Sequence, residues 1–156
     1  MPSWRRALSP AVVSSLLLVV ACVVTRLPQL ASPNLLLDGD EATLGLMARA
    51  LADGRELPVF FWGQRYGFSL IEAAAGALAF TVAGTSATAL KLALWTTGVV
   101  ALRAALAPSV GSRRATVFAL VVVTMPAWAV WSMKARGGYL TAFTASASAC
   151  GNDAKC

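Results

Sequence analysis

The chain has 156 residues, 58% of them hydrophobic, no histidine and a net charge of +6, and its mean hydropathy is +0.69. That composition belongs to membrane proteins rather than soluble domains. The basic residues stand singly or in pairs between apolar runs, as membrane flanks do, so nucleic acid is not an expected partner. Without histidine or clustered thiols, zinc fingers and Ser-His-Asp chemistry are excluded, and any proton transfer falls to carboxylates, Lys or Tyr.

Arg5 and Arg6 precede an uncharged run from Ala7 to Thr25, close to the ~20 residues needed to cross a bilayer. The positive-inside rule puts the amino terminus in the cytoplasm. Val19-Val20-Ala21-Cys22 has the look of a lipoprotein cleavage box, but the apolar run continues past Cys22 and more apolar segments follow, so a retained span is expected. Cys150 and Cys156 lie in a polar tail, where a disulfide is permitted and nothing requires it.

Arg26 to Phe68 is the long polar segment, punctuated by Pro28, Pro33 and Pro58 and facing outward on this orientation. Its centre is Asp38-Gly39-Asp40-Glu41, and five of the chain's seven acids lie between Asp38 and Glu56. Acids packed this closely repel one another, which points to a site that meets water, a cation, a phosphate-bearing ligand or a proton to be taken. A helix start explains part of the cluster: Asp40 suits the N-cap of a helix over Asp40–Asp53 that stops at Gly54, with Glu41 in the positive first turn. Capping needs one acid, not three. Leu44, Met47, Ala48 and Leu51 recur at helical spacing, so this helix is expected on the membrane surface with its acidic end at the interface.

Val59 to Phe68 is the densest aromatic stretch and fits two readings. It is either an interfacial aromatic belt or a ligand-facing surface, with rings against sugar or lipid and Gln64 and Arg65 meeting hydroxyls or phosphate. Glu72 follows at the membrane edge and reads as interfacial. The small residues Ala73 to Ala77 allow tight helix packing.

The fold class expected is therefore all-α, a polytopic plasma-membrane protein with three or four transmembrane helices plus short helices in the first outer loop. Spans are expected at about 7–27, 88–107 and 115–133, with an outer loop over 28–87. If Ala73–Ala83 crosses, Arg5, Arg6, Lys91, Lys134 and Arg136 are cytoplasmic against Arg103, Arg113 and Arg114 outside. If it lies along the surface, Arg5, Arg6, Arg103, Arg113 and Arg114 are cytoplasmic against Lys91, Lys134 and Arg136. Both arrangements count five against three, so charge does not choose. Residues 144–156 read as a polar, disordered tail, and the stop soon after the apolar start at Leu140 reads as a truncation.

Together, Gly39-Asp40-Glu41-Ala42 after the first span, Gly45 to Ala50 on the next helix, Pro58 to Gln64, and Trp131-Ser132-Met133-Lys134-Ala135-Arg136-Gly137-Gly138-Tyr139 resemble the amino-terminal part of the GT-C glycosyltransferases that use polyprenyl-phosphate sugars. That superfamily includes the protein O-mannosyltransferases and the lipid A aminoarabinose transferase, and the resemblance covers about residues 8–143. It implies an outer loop with an acidic site and two juxtamembrane helices, Asp40–Asp53 and Ser69–Ala83, which favours three spans.

The resemblance also implies the chemistry. The carboxylate matching Asp40 takes a proton from the acceptor hydroxyl, which attacks the anomeric carbon and expels polyprenyl phosphate with inversion. Glu41 matches the second acid, expected to orient the site or to help Asp40 hold a divalent cation where one is used. Arg49, Gln64, Arg65, Tyr66, Lys134 and Arg136 are the substrate-binding candidates it suggests, and the role of Asp38 stays open. The partners implied are the lipid-linked sugar, membrane lipid and an unspecified acceptor. Members of the family have many more spans and a carboxy-terminal domain, so the isolated chain is expected to be inactive. The competing reading is a small membrane adaptor or transporter-like subunit whose loop acids bind a cation or a partner's basic patch.

Overall fold

The computed structural model describes residues 9–32, 37–125 and 139–152. Every element among them is an α-helix: α1 Pro10–Leu30, α2 Gly39–Ala52, α3 Leu70–Ala83, α4 Ala87–Val110, α5 Ser112–Thr124 and α6 Tyr139–Asn152. Local chemistry sets the boundaries. Pro10 opens α1, where a missing N–H costs nothing, and the Ser9 hydroxyl accepts from Val12 N at 3.3 Å. Ser86 caps α4 through Ala89 N at 3.1 Å, and α4 gives way to α5 at Gly111, whose φ of 85° favours glycine.

α1 and α4 are long and apolar enough to cross a membrane, at 21 and 24 residues. They overlap the stretches 7–27 and 88–107, where spans are expected. Along α1, Leu18, Cys22 and Arg26 are buried at intervals of four, while Val13, Leu17, Val20, Val24 and Leu27 are exposed. The third expected span, 115–133, is described only in part. α5 ends at Thr124 after 13 residues, or about 20 Å, and residues 126–133 lie outside the described residues. Arg5, Arg6, Lys134 and Arg136 also lie outside them. The tail departs from expectation, because its described part is helical to Asn152 and α6 packs against α4.

Helix α4 is shared by two apolar clusters. Toward its N-terminal end, Ala89, Leu90 and Leu94 pack with Leu44, Met47 and Ala48 of α2, Ala73 and Phe80 of α3, and Phe61 of the connecting loop. Farther along, Trp95 and Val99 pack with Leu18 and Cys22 of α1 and with Ala119 and Val123 of α5. Polar clasps fix the directions. Arg103, near the end of α4, donates to Ser112 Oγ at 2.6 Å and Thr116 Oγ1 at 3.0 Å at the start of α5, closing an antiparallel pair. Arg26, near the end of α1, donates to the Val123 carbonyl at 2.8 Å near the end of α5, so α1 and α5 run parallel. α1 and α4 are therefore antiparallel, and the chain between them leaves and returns on one side.

On that side α2, α3 and α4 meet at Gly76. A β-carbon there would lie 2.8 Å from the Ala48 β-carbon and 2.9 Å from Leu90 Cδ1. The small-residue run Ala73–Ala77 thus does what its composition implies, with Ala73, Gly76 and Ala77 buried. In an exposed helix Gly→Ala gains about 1 kcal/mol. Here Gly76→Ala should instead cost about 1–3 kcal/mol, because two packed neighbours must move. Thermal melting of the detergent-solubilised protein reads this, and a raised melting temperature would show that α2 yields freely.

Candidate functional site

The three acids at the start of α2 divide into three environments. Asp38, not Asp40, is the N-cap: its Oδ1 accepts from Glu41 N at 2.9 Å, while Glu41 Oε2 accepts from Asp38 N at 3.0 Å. This reciprocal capping box moves the helix start one residue earlier than the expected Asp40. The choice follows from the pairing, since an N-cap acid is strengthened by a Glu three positions on, and only Asp38 has one.

Glu41 is almost fully buried, and its Oε1 accepts from Lys91 Nζ of α4, itself 2% exposed. Both Glu41 oxygens are thereby engaged. The position orients the start of α2 against α4, and a divalent cation on Glu41 would have to compete with the Lys91 ammonium. Among the described residues, no three side chains from His, Cys, Asp and Glu converge as a metal site. Asp40, between its two engaged neighbours, is exposed and has no hydrogen bond or ion pair among the described residues. It is a carboxylate in the first turn of a helix, free to meet a hydroxyl or a cation.

The other candidates fall in two further places. Arg49 is exposed on the last turns of α2, nine residues or two and a half turns from Asp40, so the two project from opposite sides of the helix. With Leu37, Ala42, Leu46, Phe80 and Leu90 it lines an open groove of about 320 Å³ between α2 and the α3–α4 corner. Gln64, Arg65 and Tyr66 stand exposed at the tip of a hairpin-like loop. Its base is closed by Phe61 N to Gly67 O and Ser69 N to Val59 O, both 3.0 Å, with Gly63 and Gly67 at positive φ. Phe61 is the anchor, buried in the α2–α3–α4 cluster, whereas Tyr66 is 71% exposed. Phe61 thus follows neither reading of this stretch, since it belongs to the core, and the open tip fits both.

By sequence Lys91 reads as a flanking charge and Glu72 as interfacial. Glu72 is instead buried, with Oε1 accepting from Thr141 N at 3.0 Å and Thr141 Oγ1 at 2.7 Å. The available signal was an ionisable group inside or beside an apolar run, which is costly unless it faces a partner.

Removing one member of a buried ion pair strands the other. Glu41→Leu and Lys91→Met should each destabilise by about 3–5 kcal/mol, while the two together should recover most of the loss. Melting curves of the singles and the double variant test this, and additive losses would show that the two charges act separately.

No protein-family model matches the chain, and no curated protein or solved structure matches it.

Proposed function

We propose that this chain is the amino-terminal part of a multi-pass plasma-membrane glycosyltransferase of GT-C type, in which Asp40 is the general base. The observation that carries the reading is the division of labour at the start of α2. Asp38 caps and Glu41 is clamped by Lys91, so Asp40 alone is held at a fixed helix end with its carboxylate uncommitted. A base must reach the acceptor hydroxyl, and an exposed, unpartnered carboxylate meets that need. In the reaction Asp40 takes the hydroxyl proton, the oxygen bonds to the anomeric carbon, and the bond to polyprenyl phosphate breaks with inversion. The apolar groove bordered by Arg49 opens on the opposite side of α2 from Asp40, so in this reading it meets lipid away from the reacting phosphate. The exposed tip residues Gln64, Arg65 and Tyr66 remain available to the sugar or acceptor.

The adaptor reading needs several free acids in the loop. Of those between Asp38 and Glu56, Asp53 pairs with Arg55, Glu56 accepts from Trp62 Nε1 at 3.3 Å, and Asp38 and Glu41 are engaged as above. Asp40 alone makes a weak docking patch. The same geometry supports three spans over four, and Arg5 and Arg6 support an amino terminus inside. α1 and α4 are antiparallel and α3, at 14 residues or about 21 Å, is shorter than a hydrocarbon core of about 30 Å.

Two experiments test these proposals. In the full-length transferase, Asp40→Asn should lower turnover by ~10²-fold or more with donor binding little changed. Asp38→Asn should leave turnover near wild type, because Asn caps about as well as Asp. Equal turnover of Asp40→Asn and wild type at equal expression would remove the assignment. For topology, Arg65→Cys and Ser109→Cys are made singly in a background without native cysteines. An impermeant thiol reagent should label position 65 in intact cells and position 109 only after permeabilisation. Labelling of both from outside would restore a fourth span.

A further inference from the structure

The groove between α2 and the α3–α4 corner opens away from Asp40, so no step of the proposed transfer uses it. Its walls are apolar: Leu37 and Leu46 stand 42% and 58% exposed, with Phe80 and Leu90 buried behind them. At about 320 Å³ it reaches the size of sites that hold small organic ligands, ~300–1,000 Å³. Gly45 gives it depth. A β-carbon there would lie 3.4 Å from Leu90 Cδ2, an ordinary contact, so packing does not demand glycine as it does at Gly76. Glycine inside a helix weakens it relative to alanine, and what it leaves at this position is room in the groove.

The polar edge of the groove carries one sign of charge. Arg49 is exposed there and makes no ion pair or side-chain hydrogen bond among the described residues. The acid one turn further along, Asp53, is held by Arg55, and no carboxylate lines the groove among the described residues. Ser86 Oγ, at the start of α4, accepts from Ala89 N, which leaves its own proton to donate outward. A guanidinium and a hydroxyl donor beside an apolar trough match an amphiphile with an anionic head: phosphate pairs with the guanidinium and a chain lies in the trough. Position favours a lipid over a peptide. α1 ends at Leu30, which borders the α1–α4–α5 cluster together with Leu92 of α4, and Leu90 is two residues, about 3 Å, from Leu92 along α4. The groove thus opens level with the end of a candidate span, where headgroups meet hydrocarbon.

We infer that this groove is a binding site for one anionic phospholipid, its phosphate on Arg49 and Ser86 and one acyl chain laid over Gly45 between Leu46 and Phe80. The site rests on α1 and α4 spanning a membrane and not on Asp40, so it survives loss of the transfer assignment. The test is native mass spectrometry of the purified full chain in detergent, titrated with dioleoylphosphatidylglycerol or, as the neutral control, dioleoylphosphatidylcholine. One phosphatidylglycerol should be retained per chain at concentrations where phosphatidylcholine is not. Arg49→Gln should raise its Kd about tenfold, the equivalent of one charge-assisted hydrogen bond. Arg113→Gln, which removes an exposed arginine of α5, should leave the Kd unchanged. Gly45→Leu, which fills the trough, should abolish retention with Arg49 intact. No retained phosphatidylglycerol, equal retention of the two lipids, or equal losses in Arg49→Gln and Arg113→Gln would overturn the site. So would displacement of the bound phosphatidylglycerol by equimolar polyprenyl monophosphate, which would return Arg49 to the donor, or by an equimolar polyglutamate peptide, which would make the groove a protein-docking surface. Should Gly45→Leu fail to fold, Leu46→Glu is the second variant: it is exposed and three residues from Arg49, so it supplies the guanidinium with an internal partner. Unchanged retention in Leu46→Glu would then overturn the site.

Discussion

The buried pair of Glu41 and Lys91 is the constraint on which the outer part of the molecule depends. Two charges withdrawn from water cost several kcal/mol each, and attraction offsets this only where the geometry is good and the remaining lone pairs are satisfied. Glu41 meets that condition by giving one oxygen to Lys91 and the other to the Asp38 amide. A shift of α2 along α4 by one turn would break the Lys91 contact and strand both charges, while the bond to the Asp38 amide would move with α2. The pair contributes register more than net stability, and register fixes which acid at the start of α2 is left to the solvent.

The same economy runs through the rest of the fold. Arg26, Glu72, Lys91 and Arg103 are all nearly buried, and each reaches a different helix from its own: α5, α6, α2 and α5. The outer surface meanwhile carries Leu17, Val20 and Val24 on α1 and Val117, Phe118 and Val121 on α5. In water this would be an unfavourable distribution. In hydrocarbon it is the cheap one, because exposed leucine and valine cost nothing there while a charged side chain must face a partner. α4 accepts contacts on several sides and therefore carries two of the five buried charges among the described residues.

Proximity in sequence proved a poor guide to shared chemistry around α2. Asp38, Asp40 and Glu41 span barely one turn, yet one caps, one is buried and one is open. Asp40 and Arg49 share a helix but point away from each other. Glu72 and Thr141 are far apart in the chain and bonded twice. A helix distributes neighbours around its axis, and only the packing of other helices decides which side becomes interior.

Several features were determined by the sequence alone, because they rest on local periodicity and composition. The uncharged run before Arg26 and the Ser86-capped run after it had to be long apolar helices, the small residues around Gly76 had to be a close contact, and Leu44, Met47 and Ala48 had to share one apolar face, although that face, expected against the membrane surface, packs on α3 and α4. The capping box was also legible, since Asp38 and Glu41 stand at the required spacing, but the nearer acid Asp40 drew the assignment. What the tertiary structure alone decided was the fate of each ionisable group. Lys91 in an apolar run carries no mark of its partner fifty residues away, and Glu72 none of Thr141. Whether a charge is paired, buried or free depends on which helix packs across from it, and that is a property of the whole arrangement, which no local window of residues contains.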